Sequence, residues 1–183
     1  MRVITADDLC VAVEQVLAEH LYPTVQLLGW HDDLEEKVED WHQVPDLDVL
    51  RSASLPTGAI SSPGLTDLPT KTSSGTDATW RVVVGIYERG ISYDDTSRRL
   101  RRWAAAVRAT LLAHKSLNQT ASGLRWVGEE YAEIPDARSA RTIGGCTVAV
   151  DVTARNVVDL SPTVPTVTTP RSTVNVRPPA SQE

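Results

Sequence analysis

Two stretches of the chain repeat apolar residues with the period of an α-helix. The first follows Thr5, whose hydroxyl group can cap a helix, and predicts an amphipathic helix over about residues 6–21 that Pro23 ends. The second predicts a helix over residues 94–114, with acidic and hydroxyl side chains at positions 94–97 as candidate caps. One narrow sector of the second helix holds its large apolar residues, which are Leu100, Trp103, Ala104, Val107 and Leu111.

Other stretches alternate in the manner of β-strands. Strands are predicted over residues 24–30, 80–87, 124–134 and 146–153. In the strand over 80–87 both sets of alternate positions are mostly apolar, which indicates burial on both sides. In the last strand only one set is apolar, which is typical of a sheet covered on one face: Cys146, Val148, Val150 and Val152.

Two segments lack either period. Residues 52–79 are rich in Pro, Gly, Ser and Thr, and they predict a long loop with one short strand near 59–62. Residues 159–183 are rich in Pro and Thr and predict an extended C-terminal tail, because they hold too few large apolar residues for a core. We expect this tail to dock on a neighbouring subunit or another protein through four valines: Val164, Val167, Val174 and Val176.

The order of these elements predicts the fold class. A helix, a strand, a loop, a strand, a helix and two more strands indicate an α+β domain over residues 1–158. We expect a mostly antiparallel or mixed sheet with the two main helices packed on one face, followed by the extended C-terminal arm.

The 183 residues carry a formal net charge of −6, but the charge is unevenly divided. Residues 1–50 hold two basic residues against twelve acidic ones, a net charge of −10. Residues 81–115 hold eight basic residues against three acidic ones, a net charge of +5. This division predicts that copies of the chain pair with one another, although two solvated helix faces would give the same pattern. An overall acidic chain argues against tight binding of nucleic acid.

Charged side chains are therefore the candidate subunit-interface residues. The basic set is Arg98, Arg101, Arg102 and Arg108. The acidic set is Glu35, Glu36, Glu39 and Asp40. For the arginine-rich helix a plain solvated face and a nucleic-acid surface remain alternatives, but Trp103 shares the sector of Leu100 and Val107 and is not expected to stack on a base.

The sequence holds no recognised catalytic motif. It lacks the nucleophile elbow, the phosphate-binding loops and the zinc-binding HExxH pattern, so we expect a protein that is not an enzyme and has no cofactor or metal. The two cysteines, Cys10 and Cys146, lie far apart and predict neither a disulfide framework nor a metal site. One alternative of another class is a small metal-dependent enzyme that uses the acidic, histidine-flanked segment 31–48.

A block of short motifs then suggests a family. Residues 80–90 read WRVVVGIYERG and residues 101–108 read RRWAAAVR. LLAHKSL, GLRWVGEEY and RTIGG follow, and a strand with alternating valines ends the block. In these phrases and in its strand–helix–hairpin order, the chain resembles the tail terminator proteins of long-tailed, non-contractile (siphovirus-type) bacteriophages, especially those that infect actinobacteria. The resemblance covers roughly residues 55–158.

The resemblance implies a structural role in the virion. It implies a hexameric ring at the head-proximal end of the tail, assembled in the cytoplasm of the bacterial host. Such a ring caps the tail tube, ends its polymerisation and contacts the head–tail connector protein. DNA passes through its lumen without specific binding, and no membrane is involved. A connector, stopper or other neck protein is the nearest alternative, because these proteins share small α+β folds and ring assembly.

Overall fold

A computed structural model describes residues 2–43, 54–73, 75–134 and 143–159. Within these ranges the chain forms two helices, α1 (Ala6–Leu27) and α2 (Tyr93–Ala113). The strands are β1 (Arg2–Val3), β2 (Trp41–His42), β3 (Thr57–Leu65), β4 (Thr70–Thr72), β5 (Gly75–Glu88), β6 (Gly123–Ile134), β7 (Ile143–Ala154) and β8 (Val158–Asp159). The predicted C-terminal tail with its four valine anchors lies outside the described residues.

Six strands form a mixed, mostly antiparallel sheet. Five of them follow the order β2-β3-β5-β7-β6, and β4 pairs with the beginning of β5. The β2–β3 pair is parallel, whereas β3, β5, β7 and β6 pair antiparallel with their neighbours. The short strands β1 and β8 form a separate antiparallel pair. Strand β2 therefore lies at one edge of the sheet and β6 at the opposite edge.

Both helices pack on the same face of this sheet. Val82 and Val84 of β5 lie opposite Val150 and Val148 of β7, and all four side chains are buried beneath the helices. Trp103 of α2 is the largest fully buried side chain of this core. The predicted fold class and the predicted apolar faces of α2 and β7 are confirmed.

Helix α1 is longer than the sequence predicted. The prediction that Pro23 ends the helix and that residues 24–30 form a strand was wrong, because α1 continues to Leu27. Val25 is fully buried and lies one helical turn beyond Leu21, so continued helix places it in the core. Pro23 lacks a backbone N–H, so the carbonyl four residues earlier loses its helical donor; next to it the hydroxyl group of Thr24 donates to the carbonyl of His20 at 2.9 Å.

The prediction of a long loop over residues 52–79 was also wrong. Strands β3 and β4 and the first part of β5 occupy most of its described residues. The sheet register shifts between Ser61 and Gly64, so Pro63 and Gly64 lie in a bulge within a strand. The Ser62 hydroxyl group supports the bulge, since it donates to the carbonyl of Arg81 at 2.7 Å.

Helix α2 begins one residue earlier than predicted, and its cap is a different residue. Ser92 is the N-cap, with extended backbone, and its side chain accepts a hydrogen bond from the backbone N–H of Asp95 at 3.2 Å. The candidate caps at positions 94–97 instead lie inside the first turn of the helix. There Asp94 and Asp95 interact favourably with the positive end of the helix dipole.

Candidate functional site

Two arginines of the basic set bind the turn that follows α1. Arg98 lies 3.4 Å from Asp33 and 2.7 Å from Asp95, and Arg102 also forms a salt bridge with Asp33. The adjacent Leu34 is fully buried in the core. These contacts hold the start of the acidic segment against α2, so Arg98 and Arg102 already have partners within their own chain.

Arg101 differs from its neighbours on the same helix. Its side chain is exposed, and within the part of the chain that the structure describes it forms no salt bridge. It lines an open groove of about 630 Å³ together with Trp30 and Tyr93. Arg101 is therefore the member of the basic set whose charge is most available to another molecule.

The acidic set lies in the connection between α1 and β2, and its last member, Asp40, reaches one edge of the sheet. All four of its side chains are exposed, and among the described residues none of them takes part in a salt bridge. The segment is nevertheless held in place, because the carbonyl of Asp40 accepts hydrogen bonds from the N–H of Gly58 at 2.9 Å and from the Thr57 hydroxyl group at 3.2 Å. The acidic charge thus lies directly before β2, beside β3.

Arg108 lies near the opposite edge, against β6. It forms a 2.5 Å salt bridge with Glu129, and its guanidinium lies 5.1 Å from the centre of the Trp126 ring. The Tyr131 hydroxyl group donates to Glu129 at 2.9 Å. Partial burial, followed by this hydrogen bond, raises the pKa of Tyr131 to about 12. Arg108 therefore orders a row of β6 side chains.

Sequence reasoning missed a buried carboxylate at the end of β5. Glu88 is almost fully buried, and one of its oxygens accepts hydrogen bonds from the indole N–H of Trp103 at 3.0 Å and from Arg99 at 3.2 Å. Its other carboxylate oxygen accepts from the backbone N–H of Arg89 at 3.0 Å. An acid at the end of an apolar strand was the available signal, but its partners lie on another element.

A second buried carboxylate lies on the sheet face opposite the helices. Asp151 is 3% exposed and accepts hydrogen bonds from Arg81 at 3.0 Å and Arg125 at 2.7 Å. Burial opposes ionisation of Asp151, but the two arginines outweigh it and lower the pKa of the carboxyl group. The register places the three residues side by side on β5, β7 and β6.

The structure gives no support to the metal-dependent alternative. Within residues 2–43, 54–73, 75–134 and 143–159, no three His, Cys, Asp or Glu side chains come together in a way that could hold a metal ion. His31 and Asp32 approach each other at 3.4 Å on the surface, and residues 44–48 of the proposed acidic segment lie outside the described residues. Cys10 and Cys146 are both buried with free thiols.

Neither α1 nor α2, the helices of the described part, is long and apolar enough to cross a membrane.

The chain has distant structural likenesses among solved structures. A chain of the solved structure "Virion of native gene transfer agent (GTA) particle" is 14% identical, with a TM-score of 0.46. The alignment covers 78% of this chain and 97% of that chain. No protein family matches this chain, and no curated protein does. A function for this chain therefore has to come from its own sequence and contacts.

Proposed function

We propose that this chain is a structural protein of a bacteriophage virion, the tail terminator. Six copies form a ring that caps the head-proximal end of the tail tube, stops its polymerisation and joins it to the head–tail connector. The observation that carries the proposal is the motif block of residues 80–145, which resembles the terminator family. In the structure this block forms β5, α2, β6 and the beginning of β7, an order that agrees with the resemblance.

The distribution of charge supports assembly into a ring. A closed ring needs two different, complementary patches on each copy, which meet head to tail around the axis. The exposed acidic set lies beside β2 at one sheet edge, and Arg101 is exposed on α2 without an internal partner among the described residues. We propose that the acidic set of one copy faces Arg101 of the next, and that such pairing guides assembly.

The core also favours support from neighbouring copies. The sequence holds no phenylalanine, and valine is the most frequent buried side chain among the described residues of the sheet. Association of copies would add stability by mass action, because the ring binds only folded chains. An acidic surface along the lumen would repel DNA and allow it to pass.

Labelling the protein in phage particles tests the proposal. Gold-labelled antibody fragments against this chain are expected at a single position, the junction of tail tube and neck, on the tube side. Fragments against the tube protein, as a control, should decorate the whole tube. A label on the portal side would identify a connector or stopper instead, and absence of the chain from particles would refute a virion role.

A further inference from the structure

Strand β6 presents a long open edge. It ends the strand order of the sheet, and its twelve residues pair with β7 alone among the described strands. Trp126, Val127 and Tyr131 are 42%, 40% and 49% exposed along it. The strand contains neither lysine nor proline, two residues that commonly protect such edges, although a bulge lies between Trp126 and Gly128.

The opposite edge of the sheet is covered in part among the described residues. Strand β2 pairs with Gly58 and Ala59 of β3, and the ring of Trp41 lies against Gly58 so closely that a side chain there would clash. The acidic segment before β2 adds the hydrogen bonds from Gly58 and Thr57 to the Asp40 carbonyl. Among the described strands β6 is therefore the longer edge strand, with twelve residues against two in β2, and it offers the longer backbone for strand addition.

The C-terminal segment contains a sequence suited to this edge. Residues 171–177 read RSTVNVR, a run without proline in which Val174 and Val176 alternate with Thr173 and Asn175. Alternation of this kind lets one face of an added strand contact apolar side chains while its backbone pairs with the edge.

Charge favours the same pairing. Arg171 and Arg177 flank the run, and the only acidic side chain beyond residue 159 is Glu183. Strand β6 holds three glutamates, at positions 129, 130 and 133, and one arginine at 125. Glu129 and Arg125 already have partners within the chain, so positions 130 and 133 supply the charge that would meet the two arginines. Opposite charges on paired strands stabilise them, whereas like charges do not.

The path of the chain permits contact with another copy. The described chain ends at β8, next to Val157, whose N–H donates to the carbonyl of Thr76 at 2.8 Å at the beginning of β5. Gly123, the first residue of β6, lies opposite Thr153 at the same end of the sheet. Residues 160–170 can span about 35 Å when extended, comparable to the length of β6.

We propose that residues 171–177 of one copy add as a further strand to the β6 edge of the neighbouring copy. The choice of a neighbouring copy rests on the proposed ring. The added strand covers Trp126 and Tyr131, and each subunit is thereby tied to the next through backbone hydrogen bonds.

Cross-linking between differently labelled copies tests this pairing. Val176→Cys chains are mixed with either Trp126→Cys or Tyr131→Cys chains under mild oxidation, and the native buried cysteines remain unreactive. The expected result is at least about tenfold more disulfide-linked dimer than with Leu68→Cys, because docking raises the effective concentration of the thiols. Leu68 is a suitable control, since it is 91% exposed and lies away from β6.

Amide hydrogen exchange supplies a second measurement on the same full-length chain. Val174→Pro should remove the protection of those β6 amides that do not bond to β7, because proline cannot pair and disrupts an added strand, whereas Thr166→Pro should leave it unchanged. Equal protection in both variants, or no more disulfide-linked dimer than with Leu68→Cys, would overturn the inference. Counting copies in the same samples separates the proposals: rings without cross-links refute the strand addition alone, and cross-links without six-membered rings refute the terminator ring alone.

Discussion

Asp151 shows how a charged side chain can be buried in a sheet at modest cost. Its carboxylate receives one hydrogen bond from each of two arginines, and those arginines are themselves 38% and 79% exposed. The arginines therefore stay hydrated on their outer side while they neutralise the buried charge. This arrangement joins β5, β7 and β6 on the face opposite the helices.

The Asp151 site predicts a specific dependence of stability on pH. Its pKa is lower in the folded chain than its ordinary value of 3.8, so the stabilisation is complete above that value and is lost as the pH falls through the lowered pKa. Asp151→Asn should lower the free energy of unfolding by about 1–3 kcal/mol at pH 7 and reduce the acid sensitivity. Urea denaturation at pH 7 and pH 3 measures both effects.

Asp67→Asn is the matched control, because Asp67 is exposed on the connection between β3 and β4. The control should change neither stability nor its pH dependence. If Asp151→Asn unfolded like the control at both pH values, the two arginines would not be stabilising the buried carboxylate.

Neither buried carboxylate could be assigned from the sequence. Asp151 is bonded to residues 26 and 70 positions away, and Glu88 to residues 11 and 15 positions away. Which residues meet across such separations in the sequence depends on the register of the strands and on the packing of α2. The hydrophobic period determines neither of them. Similarly, the arginines could be recognised as a basic set, but their separation into partnered and exposed members depends on the position of Asp33.

Helix α1 illustrates what the apolar period determines and what it leaves open. Its buried positions continue with the same spacing from Leu9 to Val25, and the burial of Val25 offsets the hydrogen bond lost at Pro23. Pro23 predicts the end of the helix, because proline usually interrupts helical hydrogen bonding. The spacing of the apolar residues predicted the end of the helix better than the proline did, because α1 continues to Leu27. In α2 the period predicted five of the six apolar core residues and missed Ala106, whereas the identity of the cap was decided by local backbone geometry.

Replacement of Pro23 tests whether the helix truly continues through it. Pro23 is exposed, so Pro23→Ala should restore a helical N–H without disturbing the core. We expect the free energy of unfolding to rise by about 1–2 kcal/mol after allowing for the greater freedom of the unfolded chain. Gln15→Ala, an exposed change in the same helix, should have a much smaller effect. A loss of stability in Pro23→Ala would mean that the helix ends before residue 23.

The prediction of a long loop over residues 52–79 was wrong for a related reason. The Pro, Gly and Ser residues of this segment are common in loops, but here they form a bulge in β3, where Gly64 adopts a φ of +129°. A bulge uses the same residues as a turn, and only the pairing partner distinguishes the two. That partner, β5, spans Gly75–Glu88, whereas its alternating apolar residues predicted a strand over residues 80–87 only.

The acidic and basic regions of the sequence are partly paired with other charged residues in the folded chain. The folded chain uses part of this charge internally, since Asp33 binds Arg98 and Arg102, and Glu129 binds Arg108. The exposed charges that remain include the acidic set and Arg101 on α2. The surfaces available for assembly are therefore smaller than the sequence suggested, and a test of ring formation should be directed at them.

Charge reversal at Arg101 tests whether this side chain contributes to the contact between copies. Arg101→Glu should weaken each contact between copies by roughly 1 kcal/mol or less, an effect that accumulates around a ring. Glu36→Arg in the same chain should restore much of the loss. Lys115→Glu is the matched control, because it makes the same charge change at an exposed site just beyond α2.

The number of copies in the assembled particle decides whether the chain forms the proposed ring. Native mass spectrometry of the full-length chain, supported by electron microscopy, should show closed rings of six copies at moderate salt. Such rings should become less abundant with Arg101→Glu and remain unchanged with Lys115→Glu. A chain that stays monomeric at every concentration, or that closes into rings of another number, would contradict the proposed tail terminator.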